Sequence, residues 1–307
     1  MTAHPQPPRR AQPPLARGGI DRAAGERTAE TLAAARADAR TRVLLVCGDR
    51  APLAAGGATL HFVAPEDVPD DAQWAFLGRS GAAAVLCAAF PADMEDPVEA
   101  PGGWAALRAI GGDLESADAG LLVQAVALGR WLVDAPHCPG CGAVAEVRDA
   151  GWSRRCPSCG REHFPRTDPA VIVAVESEDR SHLLLGSNAL WGQNRYSCFA
   201  GFVEAGESLE ATVAREIQEE SGIRVARIEY RGSQAWPYPR SLMVGFRALA
   251  ARDDDARPDG EEIVSVRWFT RGELVQAFDG RSEIVLPGAA SIAHTLIRDW
   301  VGEGDGE

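Results

Sequence analysis

Two Cys-x-x-Cys pairs restrict this chain more than any other feature. Cys138 and Cys141 form the first and Cys156 and Cys159 the second, with fourteen residues between the pairs. Each pair lets a tight turn place two sulfurs on one side of an ion, and a hairpin can carry the second turn back to the first. Zn²⁺ takes four such thiolates in a tetrahedron. The intervening "AEVRDAGWSRR" can form that hairpin, and Gly140, Gly142 and Gly160 suit the turns. Redox-active or merely buried cysteines are the competing reading, and the paired spacing favours structural zinc. Four thiolates leave no open coordination position, so this zinc is not expected to be catalytic. His137 and His163 read as surface or packing residues. Cys47, Cys87 and Cys198 are scattered. An odd total of seven cysteines argues against a secreted disulfide framework and for a reducing compartment.

The rest of the chain divides around this segment. With 307 residues, of which 46% are apolar, it is long enough for two or three domains with substantial cores. Residues 1–40 are rich in Pro, Ala and Arg and are expected as a flexible tail, although 28–40 are compatible with a short helix. Residues 41–132 are expected as a small α+β domain. "RVLLVCGD", "ATLHFVA", "AQWAFLGR" and "AAAVLCAAF" are its short apolar runs, and "ESADAGLLVQAVALGRWLVDA" has helical spacing with Ser116 as N-cap. Residues 133–166 would be the zinc segment and 167–303 a third domain. In that last part, strands are expected at "AVIVAVES", "HLLLGS", "SLMVGFRALA" and "IVSVRWFT", and a helix near "AASIAHTLIRDWV". No stretch approaches the roughly 20 apolar residues of a membrane span, and no apolar segment follows the N-terminal arginines. A cytoplasmic protein is expected. The formal net charge of −13 disfavours duplex DNA held through bulk electrostatics. An acidic chain can still bind an anionic substrate when divalent metals stand between them.

The segment from Gly201 to Ile223 carries the chemistry. Ser208 to Glu220 is rich in helix formers, and Leu209, Val213 and Ile217 repeat every fourth residue to give one apolar face. Gly222 stands where a C-terminal cap belongs. Glu216, Glu219 and Glu220 lie at i, i+3 and i+4, so their carboxylates share a face and repel unless a cation sits among them. Mg²⁺ or Mn²⁺, which prefer oxygen ligands, would meet that need. Glu207 and Arg215 are spaced for an ion pair bracing the loop against the helix. A solvated helix with glutamates on its wet face is the bland alternative.

The full segment resembles the Nudix box, Gly-x5-Glu-x7-Arg-Glu-(aliphatic)-x-Glu-Glu-x-Gly-(aliphatic). Gly201, Glu207, Arg215, Glu216, Ile217, Glu219, Glu220, Gly222 and Ile223 occupy all its fixed positions. The resemblance implies an α+β protein: a Nudix α/β/α sandwich, here with a four-Cys zinc ribbon and a small N-terminal α+β domain. It also implies hydrolysis of a nucleoside diphosphate linked to another group, with two or more Mg²⁺ or Mn²⁺ on the pyrophosphate. Glu216 and Glu220 would be metal ligands, Glu219 a ligand or the support of one, and Ala200 would contribute its backbone carbonyl. Glu220 is also the candidate for general-base chemistry. Glu262, with Glu261 as neighbour, best matches the acidic ligand that such enzymes supply from a later loop.

A second signature narrows the family. Ser233-Gln234-Ala235-Trp236-Pro237-Tyr238-Pro239-Arg240-Ser241 is similar to the Ser-Gln-Pro-Trp-Pro-Phe-Pro-x-Ser motif of NADH pyrophosphatases, with Ala235 in place of Pro and Tyr238 in place of Phe. The order of N-terminal domain, zinc ribbon and Nudix domain is also that family's, and "HFPRTDPAVIV" resembles its entry into the last domain. The resemblance implies NADH or NAD as substrate, AMP and NMN(H) as products, a homodimer, and in some members removal of NAD caps from RNA 5′ ends. Residues Gln234 to Ser241 would line the dinucleotide site, Phe202 would stack on the nicotinamide, and Ala293 would touch the substrate through its backbone. A Nudix hydrolase of ADP-ribose or dinucleoside polyphosphates is one alternative. A non-catalytic zinc-ribbon regulator is another, and the intact box argues against it.

Overall fold

A computed structural model describes residues 12–16, 18, 20–252 and 256–303. Residues 1–11 of the expected tail lie outside the described residues. The described part of the tail is packed onto the protein. Leu15 is buried in the N-terminal core, a bridge joins Asp21 to Arg79, and α1 (Ala29–Ala37) is capped by Thr28, whose side chain accepts from the Thr31 N–H.

The N-terminal unit follows with β1 (Arg42–Cys47), β2 (Arg50–Pro52), β3 (Gln73–Ser80), β4 (Ala83–Phe90), β5 (Trp104–Ala106), α2 (Leu107–Ile110) and α3 (Ser116–Asp134). Its sheet runs in the order β3-β4-β1-β2-β5, with β1 and β4 parallel. β1 and β4 read as unbroken apolar runs because both faces of the sheet are covered. Leu44, Val46, Leu77 and Cys87 pack under α3, while Val43, Leu45, Phe76 and Leu86 face the side of α1. "ATLHFVA" makes only isolated bridges, Leu53 to Leu60 and Val43 to Val63, instead of a strand. Ser116 is the first helical residue and does not cap: Glu115 stands at the N-cap position without a side-chain cap bond.

The cysteine segment folds as the expected hairpin, β6 (Glu146–Arg148), β7 (Ser153–Arg155) and β8 (Glu162–His163). Its four sulfurs lie within 4.8 Å of one another, with Cys138 to Cys159 at 3.6 Å and Cys141 to Cys156 at 3.5 Å. A zinc tetrahedron with Zn–S of about 2.3 Å has edges of about 3.8 Å, so the donor set and its spacing fit a structural zinc. The Cys156 thiol is drawn down to about 7, first by a backbone hydrogen bond from Cys159. His163 is more than a packing residue, since its Nε2 lies 3.1 Å from the Cys138 sulfur. The hairpin is fastened to the N-terminal unit. The Trp152 indole N–H donates to the Phe76 carbonyl at 2.7 Å, and Arg154 donates to the carbonyls of Leu132 and Ala145 at 2.6 and 2.9 Å.

The last unit comprises β9 (Asp168–Glu176), β10 (His182–Asn188), β11 (Phe199–Phe202), α4 (Leu209–Ser221), β12 (Val225–Trp236), β13 (Ser241–Ala250), β14 (Ile263–Thr270), α5 (Arg271–Phe278) and α6 (Ile292–Gly302). The sheet order is β12-β13-β9-β10-β14, with β11 added on β9, and β9 and β13 are parallel. Alternation along β9 divides the layers. Val171, Val173 and Val175 meet Val213 and Ile217 of α4, while Ile172 and Ala174 meet Leu296, Ile297 and Trp300 of α6. This is the expected α/β/α sandwich. Among the described residues no helix is long and apolar enough to cross a membrane.

Because Trp152 sits on the seam between hairpin and N-terminal unit, chelating the zinc is expected to move its fluorescence to the red as the Phe76 contact opens. A Trp152→Phe protein should lose most of that shift. An unchanged spectrum on quantitative zinc release would contradict a structural role for the ion.

Candidate active site

The catalytic segment folds as its sequence dictates. Ser208 caps α4, its hydroxyl accepting from the Ala211 N–H at 3.2 Å, and Gly222 ends it at φ 72°, a left-handed conformation that a side chain would strain. β11 delivers Ala200 and Gly201 alongside the helix. The close approach explains the glycine: a Cβ on Gly201 would lie 1.9 Å from the Glu216 carboxylate.

Arg215 organises the acids. Its Nε and one terminal nitrogen donate to the two oxygens of Glu207 at 2.8 and 2.9 Å. The other terminal nitrogen donates to Glu216 at 2.8 Å and Glu219 at 3.1 Å, and the Phe202 carbonyl accepts a further bond at 3.0 Å. Glu207 also accepts from the Glu204 N–H and the Thr212 hydroxyl. These bonds, that from Arg215 first, hold Glu207 down to about 2. The expected brace between Glu207 and Arg215 is therefore present and extends to two more glutamates.

Glu220 has the opposite environment. It is 5% exposed, and one carboxylate oxygen has no hydrogen-bond partner. Burial first, then the charges of Glu216, Glu262 and Asp259, push its carboxyl up to about 8. Glu216 is shifted upward too, mainly by burial. A buried, partnerless oxygen with other carboxylates facing it is the donor set a hard divalent cation takes. Glu262 reaches this place from the loop before β14. Asp259 fixes that loop by accepting from the N–H groups of Glu261, Glu262 and Ile263 at 2.7, 3.0 and 3.0 Å. Glu219 is mostly exposed and bound to Arg215, so here it stands as a support.

Glu220, Glu262 and Ala200 border a cavity of about 210 Å³, whose far wall includes Trp191, Trp236 and Ala293. An outer compartment of about 270 Å³ continues from it past Trp191 and Trp236 and takes in Arg108 and Arg195. Of the nine-residue signature, Trp236 alone lines this cleft. Gln234 is 1% exposed and spans two partners: its side-chain oxygen accepts from the Leu15 N–H at 3.3 Å and its nitrogen donates to the Ala290 carbonyl at 2.9 Å. Ala235 and Tyr238 pack against the N-terminal core. Arg108 lies 4.4 Å over the Tyr238 ring, and Arg130 donates to the Pro237 carbonyl at 3.3 Å. Arg240 pairs with Asp168, Ser241 is buried at the start of β13, and the Tyr238–Pro239 peptide is cis. Phe202 is exposed and outside the cleft. Gln234, Ala235, Pro237, Tyr238, Pro239, Arg240, Ser241 and Phe202 do not border this cavity in the single chain, and most of the signature lies between the last unit and the N-terminal one. Asn188, Trp191, Arg195 and Arg108 are the lining residues that sequence reasoning missed. Trp191 and Arg195 lie in "ALWGQNRYS", just before the box, where an aromatic in a Gly- and Asn-containing loop was the available signal. Arg108 offered none, because only packing of the units brings it there.

The chain is similar to known proteins in each of its three parts. Residues 166–287 match the NUDIX domain, 134–164 the NADH pyrophosphatase zinc ribbon domain and 23–131 the NADH pyrophosphatase-like rudimentary NUDIX domain. The chain is 40% identical to the NAD-capped RNA hydrolase NudC of Mycobacterium tuberculosis, across 95% of each protein. It is 36% identical to the human NAD-capped RNA hydrolase NUDT12 over 61% of this chain and 43% of that protein. A NUDIX hydrolase structure from Nitrosomonas europaea overlays with a TM-score of 0.41 and 26% identity, covering 56% of this chain and 93% of its own.

In the metal-free protein the folded state holds the Glu220 proton from its ordinary value of 4.5 up to about 8, where the unfolded chain has released it. Stability should therefore fall as pH rises through that window. Urea midpoints at pH 5 and pH 8 are expected to show the fall without divalent ions. Saturating Mg²⁺ or a Glu220→Gln substitution should flatten it. A Glu220→Gln protein with the wild-type slope would show that the carboxyl is not perturbed.

Proposed function

The chain belongs to the NADH pyrophosphatase family of Nudix hydrolases, and from that membership we propose that it hydrolyses the pyrophosphate of NADH and NAD to AMP and NMN(H) and removes NAD caps from RNA 5′ ends. The observation that carries the reading is the buried Glu220 carboxylate, one oxygen of it without a partner, at one end of a cleft whose other wall is Trp236. Glu216, Glu220, Glu262 and the Ala200 carbonyl would hold divalent ions, with Mg²⁺ or Mn²⁺ suited to this all-oxygen set. Bound there, such ions supply neutralisation of pyrophosphate charge and a water of lowered pKa.

The protein's own groups do the rest. Arg215 fixes Glu216 and, through Glu207, the loop that carries Gly201. Glu220, at the carboxylate end of the cleft, is the candidate to take a proton from the attacking water. Trp236 offers a flat face to a base or nicotinamide. Ala293, at the start of α6, closes that wall and limits water access. Seven free cysteines, four of them in the metal cluster, suit a reducing compartment such as the cytoplasm.

Product analysis on NADH, NAD and ADP-ribose with Mg²⁺ or Mn²⁺ tests this reading. AMP and NMNH should appear in equal amounts from NADH. Glu220→Gln should lower kcat by about 10²-fold or more while the protein stays folded. Consumption of ADP-ribose with NADH untouched would replace the substrate assignment, and undiminished turnover by the variant would remove the mechanism.

The homodimer is part of the same proposal. Phe164 beside the ribbon and Phe202 beside the box are 53% and 57% exposed, and covering both would remove apolar surface from water. Light scattering on the purified chain should give twice the 32.6 kDa chain mass. A monomer at micromolar concentration would reject the dimer and leave the chemistry standing.

A further inference from the structure

The cleft has two compartments with opposite electrostatics. The inner one contains Glu220 and Glu262 and no basic residue. The outer one is lined by Arg108 and Arg195 and no carboxylate. Trp191 and Trp236 stand at the waist and border both. On the reading proposed above, the two phosphates of a free dinucleotide are those of the scissile pyrophosphate, and they lie at the carboxylate end. That leaves the outer arginines without a phosphate when the substrate is NADH.

Arg195 is built to hold one. Its backbone is pinned on both sides, with the Tyr196 N–H donating to the Val285 carbonyl at 3.0 Å and the Val285 N–H to the Asn194 carbonyl at 2.9 Å. Its guanidinium carbon lies 5.6 Å from the centroid of the Trp191 ring, and it makes no ion pair among the described residues. A guanidinium holds its donors in one plane and presents them edge-on, the geometry for bidentate phosphate recognition. Arg108, by contrast, already lies over Tyr238. The Trp191 platform is itself positioned from the catalytic side. Asn188 donates to Glu262 at 3.2 Å, its side-chain oxygen accepts from the Leu190 N–H at 2.9 Å and its carbonyl from the Trp191 N–H at 3.0 Å.

We infer that the outer compartment is a binding site for the phosphodiester that follows the dinucleotide when the substrate is a capped RNA 5′ end, with Arg195 as its ligand and Trp191 as the platform behind it. The inference rests on the hydrolysis of NAD-type pyrophosphates proposed above and adds the residue that separates a polynucleotide substrate from a free dinucleotide. A chain of net charge −13 repels RNA at long range, so a local contact of this kind is where such selectivity has to reside.

The test compares NADH with a short NAD-capped RNA on the full-length protein and on Arg195→Ala, Arg195→Lys and Trp191→Ala variants, at several KCl concentrations. Arg195→Ala should lower kcat/KM on the capped RNA about five- to tenfold, through KM, and leave NADH within about twofold. Its log–log dependence of RNA kcat/KM on salt should become shallower by about 0.7, the loss of one single-strand phosphate contact. Arg195→Lys should restore the salt slope with only part of the rate, since it keeps the charge and loses the planar fork. Trp191→Ala should also impair the RNA more than NADH. Equal losses on both substrates, or none on either, would overturn the inference, as would a wild-type protein that cleaves NADH and spares the capped RNA. A wild-type protein inactive on NADH and capped RNA alike would instead bring down the proposed function itself, and the inference with it.

Discussion

The guanidinium of Arg215 lies between three carboxylates and a backbone carbonyl, and the active-site geometry depends on it. Glu207, Glu216 and Glu219 would repel one another across the gap between loop and helix without it. With it, one face of the fork closes on both oxygens of Glu207, and the opposite nitrogen reaches Glu216 and Glu219. A bidentate pair of this kind fixes orientation as well as energy, which sets the register of the β11 loop against α4. Glu216 then lies where Gly201 leaves no room for a side chain. The one box carboxylate that Arg215 does not reach is Glu220, which remains buried and unneutralised. Arg215 pairs with Glu207, Glu216 and Glu219, and Glu220 keeps its demand for a cation.

The same economy of contacts joins the units. The zinc hairpin is small, with two- and three-residue strands, and is secured by its metal set and by two hydrogen bonds, from Trp152 and Arg154, to the N-terminal unit. On the other side, the turn after β12 is held by Arg108 over Tyr238 and by Arg130 on Pro237, both from the N-terminal unit. Gln234 completes the connection, with the N-terminal segment at Leu15 on one side and Ala290 of the cleft on the other. Most of the signature thus lies at a junction between units, with Trp236 facing the cleft. The N-terminal unit carries no chemical motif, and its contribution to the site is positional, through Arg108 at the cleft mouth.

What could be read ahead of the structure follows from how local each determinant is. α4, its Ser208 start and its Gly222 stop depend on spacing within fifteen or so residues, and they were legible. So were the four-sulfur cluster, the β-branched strand β9 and the apolar strand β13. β12 escaped notice because three charged residues and Gly232 interrupt it, although Ile228 and Tyr230 alternate with Arg227, Glu229 and Arg231. The packing of Leu15 was illegible for a similar reason: a Pro- and Arg-rich segment looks like a tail until a distant pocket receives it. Ser116 misled because its sequence context mimics a cap.

By itself, then, the sequence determined the hydrolase family and the four-sulfur zinc set, since thiolate spacing and an i, i+3, i+4 carboxylate set act over one or two turns of chain. Tertiary structure alone decided which glutamate would be buried without a partner, which residues of the downstream signature face the cleft, and that Arg108 and Arg195 would meet at its mouth. Burial and the approach of groups more than eighty residues apart depend on how whole sheets pack, and no local pattern encodes them.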